Sequence, residues 1–197
     1  MNIQEIRNNL TTKYIGQNII YFDKIDSTQK EAKKLAENDL PNGSIIIADM
    51  QTAGIGTHGR TWHTSANKNI IMTVVIYPNC NVYELEGITT KIADAAVSAI
   101  WNLYNIKLEI EEPNDIVLNN KKAGGILTET KVDGGIAKNL FIGIGFNVNE
   151  EDFPEDIIDT ATSLKKELGK EFDREIIIAG ILNELEKIIP LYGLGKN

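Results

Sequence analysis

Gln51-Thr52-Ala53-Gly54-Ile55-Gly56-Thr57-His58-Gly59-Arg60-Thr61-Trp62 lies between two apolar runs, Ser44–Ala48 and Ile70–Tyr77. Both runs have the length and β-branched content of buried strands. Three glycines within six residues of the connecting stretch let the backbone adopt conformations closed to other residues and approach a ligand closely. Successive N–H groups there can cradle a phosphate or a carboxylate. Arg60 adds a permanent charge on a fork of donors, and Trp62 adds a flat apolar face. The plain alternative is a flexible hairpin loop with a core tryptophan.

Working outward, the chain alternates helices and strands. Short helices are expected over Ile3–Leu10, from Ser27 or Thr28 as cap through Ala36, over Thr162–Glu167 and over Arg174–Ile189. A long helix is expected over Tyr83–Tyr104, where Leu85, Ile88, Ile92, Ala95, Ala96, Ala99 and Leu103 recur near helical spacing. Asn18–Lys24 reads as a strand, and Ile106–Glu111 alternates as a half-buried one. Ile116–Leu118 and Gly124–Lys131 flank a turn at Asn119-Asn120, and Asp133-Gly134-Gly135 turns the chain into a last strand, Ala137–Asn147. There is no repeat, linker or low-complexity tract. The pattern is one mixed α/β domain over residues 1–197.

Composition narrows the function classes. A chain of 197 residues can bury one sizeable core. The net charge of −8 argues against nonspecific binding to nucleic acid or anionic membrane. Cys80 is the sole cysteine, so there is no intrachain disulfide and no cysteine-based zinc site; it is expected to pack quietly or sit in a turn. No apolar run reaches the ~20 residues of a membrane span. Met1–Glu5 lacks the basic, apolar start of a signal peptide. The expected location is the cytoplasm.

Four polar clusters fall at strand ends and turns: Asp26-Ser27-Thr28-Gln29, Glu112-Pro113-Asn114-Asp115, Lys121-Lys122-Ala123-Gly124-Gly125-Ile126-Leu127 and Gly143–Asn149. Each has an ordinary explanation alone: a helix cap, a proline turn, a solvated hairpin tip and a strand-end bulge. Their order, with the glycine loop between the first two, is more specific. From about Ile20 to Asn149 the chain resembles the catalytic domain of biotin protein ligases, within the biotin/lipoate ligase superfamily. The family pattern is an S-T-N-like turn, Q-x-x-G-R-G-R-x-G-R-x-W, K-W-P-N-D, K-x-x-G-I-L and G-x-N. Here these are Ser27-Thr28-Gln29, Gln51–Trp62, Glu111–Asp115, Lys122–Leu127 and Gly145–Asn147. The resemblance implies an α/β fold of the α+β type: a central mixed sheet flanked by helices, like the class II aminoacyl-tRNA synthetase core.

The resemblance also implies an activity. Biotin's carboxylate attacks the α-phosphate of ATP, with Mg²⁺ as cofactor, and the biotinyl adenylate passes to a lysine of a biotin carboxyl carrier domain of acetyl-CoA or a related carboxylase. By the same resemblance Lys122, Arg60 and Asp115 are the catalytic residues, Asp115 being also a candidate Mg²⁺ ligand. Ser27, Thr28, Gln29, Gln51, Gly54, Gly56, Gly125 and Ile126 would bind biotin. Thr57, His58, Gly59, Arg60, Trp62, Asn114, Lys122 and Asn147 would bind the nucleotide, with Trp62 stacked near adenine. No nucleic-acid or membrane partner is implied, and the fold is compatible with a homodimer.

The departures from the pattern are specific. Ile55 and Thr57 stand where the first two arginines of G-R-G-R belong, and Glu111-Glu112 replaces K-W. Lys121, His58 or His63 can supply compensating charge. Glu111 either pairs with Lys107 or faces the pocket. A chain short of these cations is expected to leak its adenylate. Two rival readings stay open: a same-fold enzyme acting on lipoate, octanoate or an amino acid, and a catalytically weak binding or regulatory paralogue. Too few residues precede Tyr21 for a winged-helix DNA-binding domain. Too few follow the last helix for an SH3-like domain, and residues 191–197 read as a tail.

Overall fold

Every residue of Ser44–Ala48 and Ile70–Ile76 is buried, as expected of strands covered on both faces. A computed structural model describes residues 1–189; the tail read over residues 191–197 lies outside them. In chain order the elements are α1 (Ile3–Asn9), β1 (Ile19–Phe22), α2 (Thr28–Leu35), β2 (Ser44–Ala48), β3 (Ile70–Ile76), β4 (Cys80–Asn81), α3 (Ile88–Tyr104), β5 (Glu109–Glu111), β6 (Asp115–Leu118), β7 (Lys121–Asp133), β8 (Ile136–Phe146), α4 (Leu164–Leu168) and α5 (Arg174–Ile188). Eight strands form one sheet in the order β1-β2-β3-β8-β7-β6-β5, with β4 pairing the start of β8. Only β1 and β2 run parallel.

The sheet's two faces are packed differently. Ile45, Ile47, Met72, Val74, Ile142, Ile144, Phe146 and Ile126 point to one face, where they join Ile92, Ala96 and Ile100 of α3 and Ile178, Leu182 and Leu185 of α5. Each such large side chain contributes about 1.5–3 kcal/mol by leaving water. The opposite face carries the alternate residues. There Ile46, Val75 and Phe141 pack against Ala32 of α2, and α2 lies mainly over β2, β3 and β8, reaching β7 through Gln29 and Lys33 at Glu129. The rest of that face, with Thr73, Gly143, Gly145 and Gly125, is left for a cavity.

Several local outcomes differ from the sequence reading. The long helix begins at Ile88, not Tyr83: Gly87 has φ +74°, outside helical geometry, and Val82–Leu85 forms a separate 3₁₀ turn capped by Asn81 and Glu84. Strand geometry in Ile106–Glu111 is confined to Glu109–Glu111. Cys80 lies in β4, beside Ala137. The turns came out as read. Asn119 and Asn120 both have positive φ, as do Gly134 and Gly135, which is what two-residue hairpins require.

One irregularity positions the site. In the β6–β7 ladder Ile116 pairs with Gly124 but Val117 pairs with Lys122, so Ala123 is an extra residue. This bulge puts Lys122 and Gly125, three residues apart, on the same face. An added Cβ on Gly125 would lie 3.3 Å from Lys122 Cε.

Candidate active site

The carboxyl ends of β1 and β2, the start of α2 and the glycine loop converge over the open half of the sheet. They enclose a first cavity lined by Ser27, Thr28, Gln29, Gln51, Thr73 and Gly143, with Ile55 and Trp62 from the loop. A second, wider cavity lies beyond it, lined by Arg60, His63, Asn69, Asn147, Glu150 and Phe153. Gly56, Thr57, Trp62 and Lys122 line both. Open mouths included, the cavities measure about 460 and 1040 Å³, the range of small-molecule sites. The site is thus two compartments meeting at a lysine.

The first compartment is held by a chain of hydrogen bonds. Gln51 Oε1 accepts from Thr28 N at 2.7 Å and from Thr28 Oγ1 at 3.1 Å. Thr73 Oγ1 lies 3.0 Å from both Thr28 Oγ1 and Gln29 Oε1. Gln29 Nε2 donates to Glu129 Oε2 at 2.8 Å, and Lys33 Nζ reaches Glu129 Oε1 at 2.8 Å. Ser27 is the N-cap of α2 but makes no capping bond. Its hydroxyl is buried without a partner while the residue lines the first cavity. A buried unsatisfied hydroxyl is costly, and a polar ligand would satisfy it. Trp62 Nε1 is a second buried donor without a partner.

Lys122 and Trp62 form the partition. Lys122 Nζ donates to Asp115 Oδ1 at 2.7 Å, and Asn114 Nδ2 donates to the same oxygen at 2.7 Å. Lys122 Nζ also lies 5.7 Å from the Trp62 ring centroid, within cation–π range. The indole rests against β8, so that a Cβ on Gly145 would come 2.5 Å from it. Trp62 thus sits between the compartments, on a glycine platform. The Lys122 backbone is clamped by a segment outside the sheet: its N–H donates to Thr160 O at 2.8 Å and its carbonyl accepts from Thr162 N at 2.9 Å.

The other expected site residues fall as follows. Gly56, Thr57, Gly125, Ile126 and Asn114 line the first cavity, and Arg60 and Asn147 line the second. Asp115 lines neither and is linked to the junction by its bond to Lys122. Asn147 spends its amide on Thr162 O at 3.0 Å. Gly54, His58 and Gly59 line neither cavity. A Cβ on Gly54 would lie 2.4 Å from Trp62 O, so this glycine lets the loop's two limbs touch. His58 and Gly59 form the loop's tip with positive φ. Glu111 is exposed, makes no ion pair with Lys107 among the described residues and lines neither cavity; it sits opposite Asp115 in the ladder.

The sequence reading missed the far wall of the second cavity. Glu150, Asp152, Phe153, Pro154 and Ile157 come from an irregular arm between β8 and α4. Asn69 holds its base: Asn69 Nδ2 donates to Glu150 Oε2 at 3.1 Å, and Asn69 Oδ1 accepts from Val148 N at 3.1 Å. Behind Asn69, Arg174 Nη1 donates to Asn69 O at 3.1 Å and to Asp49 Oδ1 at 2.9 Å. Tyr21 Oη also donates to Asp49. Burial pushes the Asp49 carboxyl up, but the hydrogen bonds from Tyr21 and Arg174, with the charge of Arg174, outweigh it and hold it below its ordinary value. Burial and the bonds to Asp49 and Asp23 push the Tyr21 hydroxyl well up. Only the acidic run Glu150–Asp156 and its lone Phe153-Pro154 marked this arm in the sequence.

Both the sequence and the fold have counterparts among known proteins. The chain belongs to the biotin/lipoate A/B protein ligase family, whose model matches residues 21–147. It is 40% identical over 185 residues to the bifunctional ligase/repressor BirA of Bacillus subtilis, covering 93% of this chain and 57% of that one. It is 31% identical to a biotin–[acetyl-CoA-carboxylase] ligase of Paracoccus denitrificans, over 64% of this chain and 52% of the relative. The chain spans about half the length of these curated relatives. Its fold matches a biotin protein ligase from Aquifex aeolicus in complex with biotin and ATP, with a TM-score of 0.73 and 29% identity, over 87% of this chain and 69% of that one. No helix among the described residues is long and apolar enough to cross a membrane.

Proposed function

We propose that this chain is the catalytic part of an ATP-dependent biotin–protein ligase acting on the biotin carboxyl carrier domain of a carboxylase in the cytoplasm, with residues 1–197 serving as one ligase-like unit. The observation that carries this reading is the meeting of two compartments at Lys122. In this reading biotin occupies the first, where the unpartnered Ser27 hydroxyl and the Thr28–Gln51–Thr73 chain meet its polar ring atoms. ATP occupies the second. A carboxylate oxygen attacks the α-phosphorus, a P–O bond forms, and the bond to pyrophosphate breaks. A carrier lysine amine then attacks the acyl carbon, loses a proton, and AMP departs.

Two anions must approach for the first step, so fixed positive charge at the junction lowers its barrier. Lys122 supplies it, oriented by Asp115 and Asn114. Trp62 closes the partition and keeps water from the reacting atoms. Among the described residues no three His, Cys, Asp or Glu side chains cluster as a metal site. Asp115 lines neither cavity and its Oδ1 is taken up by Lys122 and Asn114, so it would hold a Mg²⁺ carried in on substrate phosphates only through its other oxygen or through water, since such ions keep water and phosphate as their other ligands. The ion would neutralise phosphate charge.

Ile55, apolar and lining the first cavity, favours one alternative, a more apolar acid such as lipoate or octanoate. Exchange of labelled pyrophosphate into ATP, run with biotin, lipoate, octanoate and amino acids, separates the readings. Biotin-dependent exchange, followed by label transfer from biotin to a carrier-domain lysine, is expected. Exchange with another acid alone would move the substrate assignment, and no exchange with any acid would leave a binding protein.

A further inference from the structure

The glycine loop is a closed hairpin. Ile55 and Thr61 form an antiparallel bridge. Gly56 N donates to Arg60 O at 2.7 Å, and Trp62 N donates to Gly54 O at 3.0 Å. Within it, the Arg60 guanidinium folds back on Thr57: Nη2 donates to Thr57 Oγ1 at 2.9 Å, and Nε donates to Thr57 O at 3.3 Å. Both residues line the second cavity, and Thr57 also lines the first. No carboxylate pairs with Arg60 among the described residues.

A free arginine on an exposed loop samples many rotamers, and part of that freedom is lost whenever it grips an anion. Two hydrogen bonds to one threonine remove much of that freedom beforehand. They use two of the five guanidinium N–H groups, and the remaining donors stay available to a phosphate. Read as sequence, Thr57 is a lost cation and a source of leakage. The geometry gives it a different task.

We propose that Thr57 is a positioning residue whose hydroxyl presents the Arg60 fork to the phosphate of the acyl adenylate, so that a threonine–arginine pair retains the intermediate. This rests on the ligase reading above. Thr57→Val keeps the shape and removes the acceptor. Thr57→Ser keeps the acceptor.

The test is release of preformed adenylate, followed by rapid dilution and trapping, with KM values for ATP and for the acid measured alongside. Thr57→Val should release about fivefold faster than wild type, the worth of one lost hydrogen bond. Thr57→Ser should stay within about twofold of wild type. Arg60→Ala should release at least as fast as Thr57→Val, and adding Thr57→Val to it should change nothing further, as for two members of one unit. KM for ATP should rise in Thr57→Val while KM for the acid stays nearly constant. Retention by Thr57→Val equal to wild type overturns this assignment alone, as does a Thr57→Ser that releases as fast as Thr57→Val. A wild type that forms no adenylate overturns the ligase reading and this assignment with it.

Discussion

The two faces of the central sheet are made from the same strands yet obey opposite rules. Along β3, Ile70, Met72, Val74 and Ile76 pack against α3 and α5, while Thr73 between them carries a hydroxyl into the first cavity. Along β8, Leu140, Ile142, Ile144 and Phe146 fill the core, while Gly143 and Gly145 between them have no side chain at all. One face derives stability from volume; the other derives a site from its absence. Gln29 rests on Gly143 and Trp62 on Gly145 because nothing stands between them and the backbone.

The contrast breaks if substitutions on the two faces have the same phenotype. Ile142→Ala, on the filled face, should lower unfolding free energy by about 2–5 kcal/mol, read from urea midpoints, with the KM values little changed in the folded fraction. Lys122→Ala, on the open face, should do the reverse: adenylate formation should fall about a hundredfold or more, as when one preorganised donor is lost at a developing charge, with the urea midpoint nearly unmoved. Lys122→Arg should rescue it poorly, since a planar fork differs from a point charge, and Lys121→Ala should be mild. Wild-type rates in Lys122→Ala would remove the assignment.

Smaller effects sharpen the boundary. Gly145→Ala adds the volume that the open face lacks, 2.5 Å from the indole. Overpacking of this kind costs about 1–3 kcal/mol, and Trp62 fluorescence should shift as the ring is displaced. Asp49 ties the faces together, since its partner Arg174 begins α5 and also holds Asn69 behind the second cavity. Its folded pKa is depressed, so its contribution is complete above the unfolded value of about 3.9 and is lost as pH falls through the folded value. The stability gap between wild type and Asp49→Asn should therefore be flat near neutrality and narrow below about pH 4. Glu111→Lys, on an exposed strand away from both cavities, should change stability and turnover by less than about 0.5 kcal/mol; a large gain in adenylate retention would return Glu111 to the site.

Much of the filled face was legible in the sequence, because unbroken β-branched runs such as Ser44–Ala48 and Ile70–Ile76 require cover on both sides. The Asn-Asn and Gly-Gly turns were legible because few other pairs tolerate positive φ twice. The start of α3 was not: Leu85 continues the helical spacing across Gly87, and periodicity cannot register a single φ of +74°. For the site, the resemblance singled out motif residues that lie within or beside strands, and the strand order β3-β8-β7-β6 brings them together. Thr73 escaped notice because it reads as one more strand residue between isoleucines and valines. The arm from Glu150 to Thr162 escaped because it has no period, and its link to Lys122 spans about forty residues of chain through a single bridge to Ala161.

A sheet is read in a frame of two, one residue up and the next down. Ala123 is a one-letter frameshift in that text. Before it, Lys122 shares the open face with Asp115; after it, Gly125, Leu127 and Glu129 continue on the same face while Ile126 turns to the core. Were every residue of this stretch paired in turn, with no bulge, Lys122 would fall in phase with Gly124 and Ile126 and point into a layer of isoleucines, where its charge has no partner. The candidate site is therefore written in the same strand as the core, in a second reading frame that opens at one alanine.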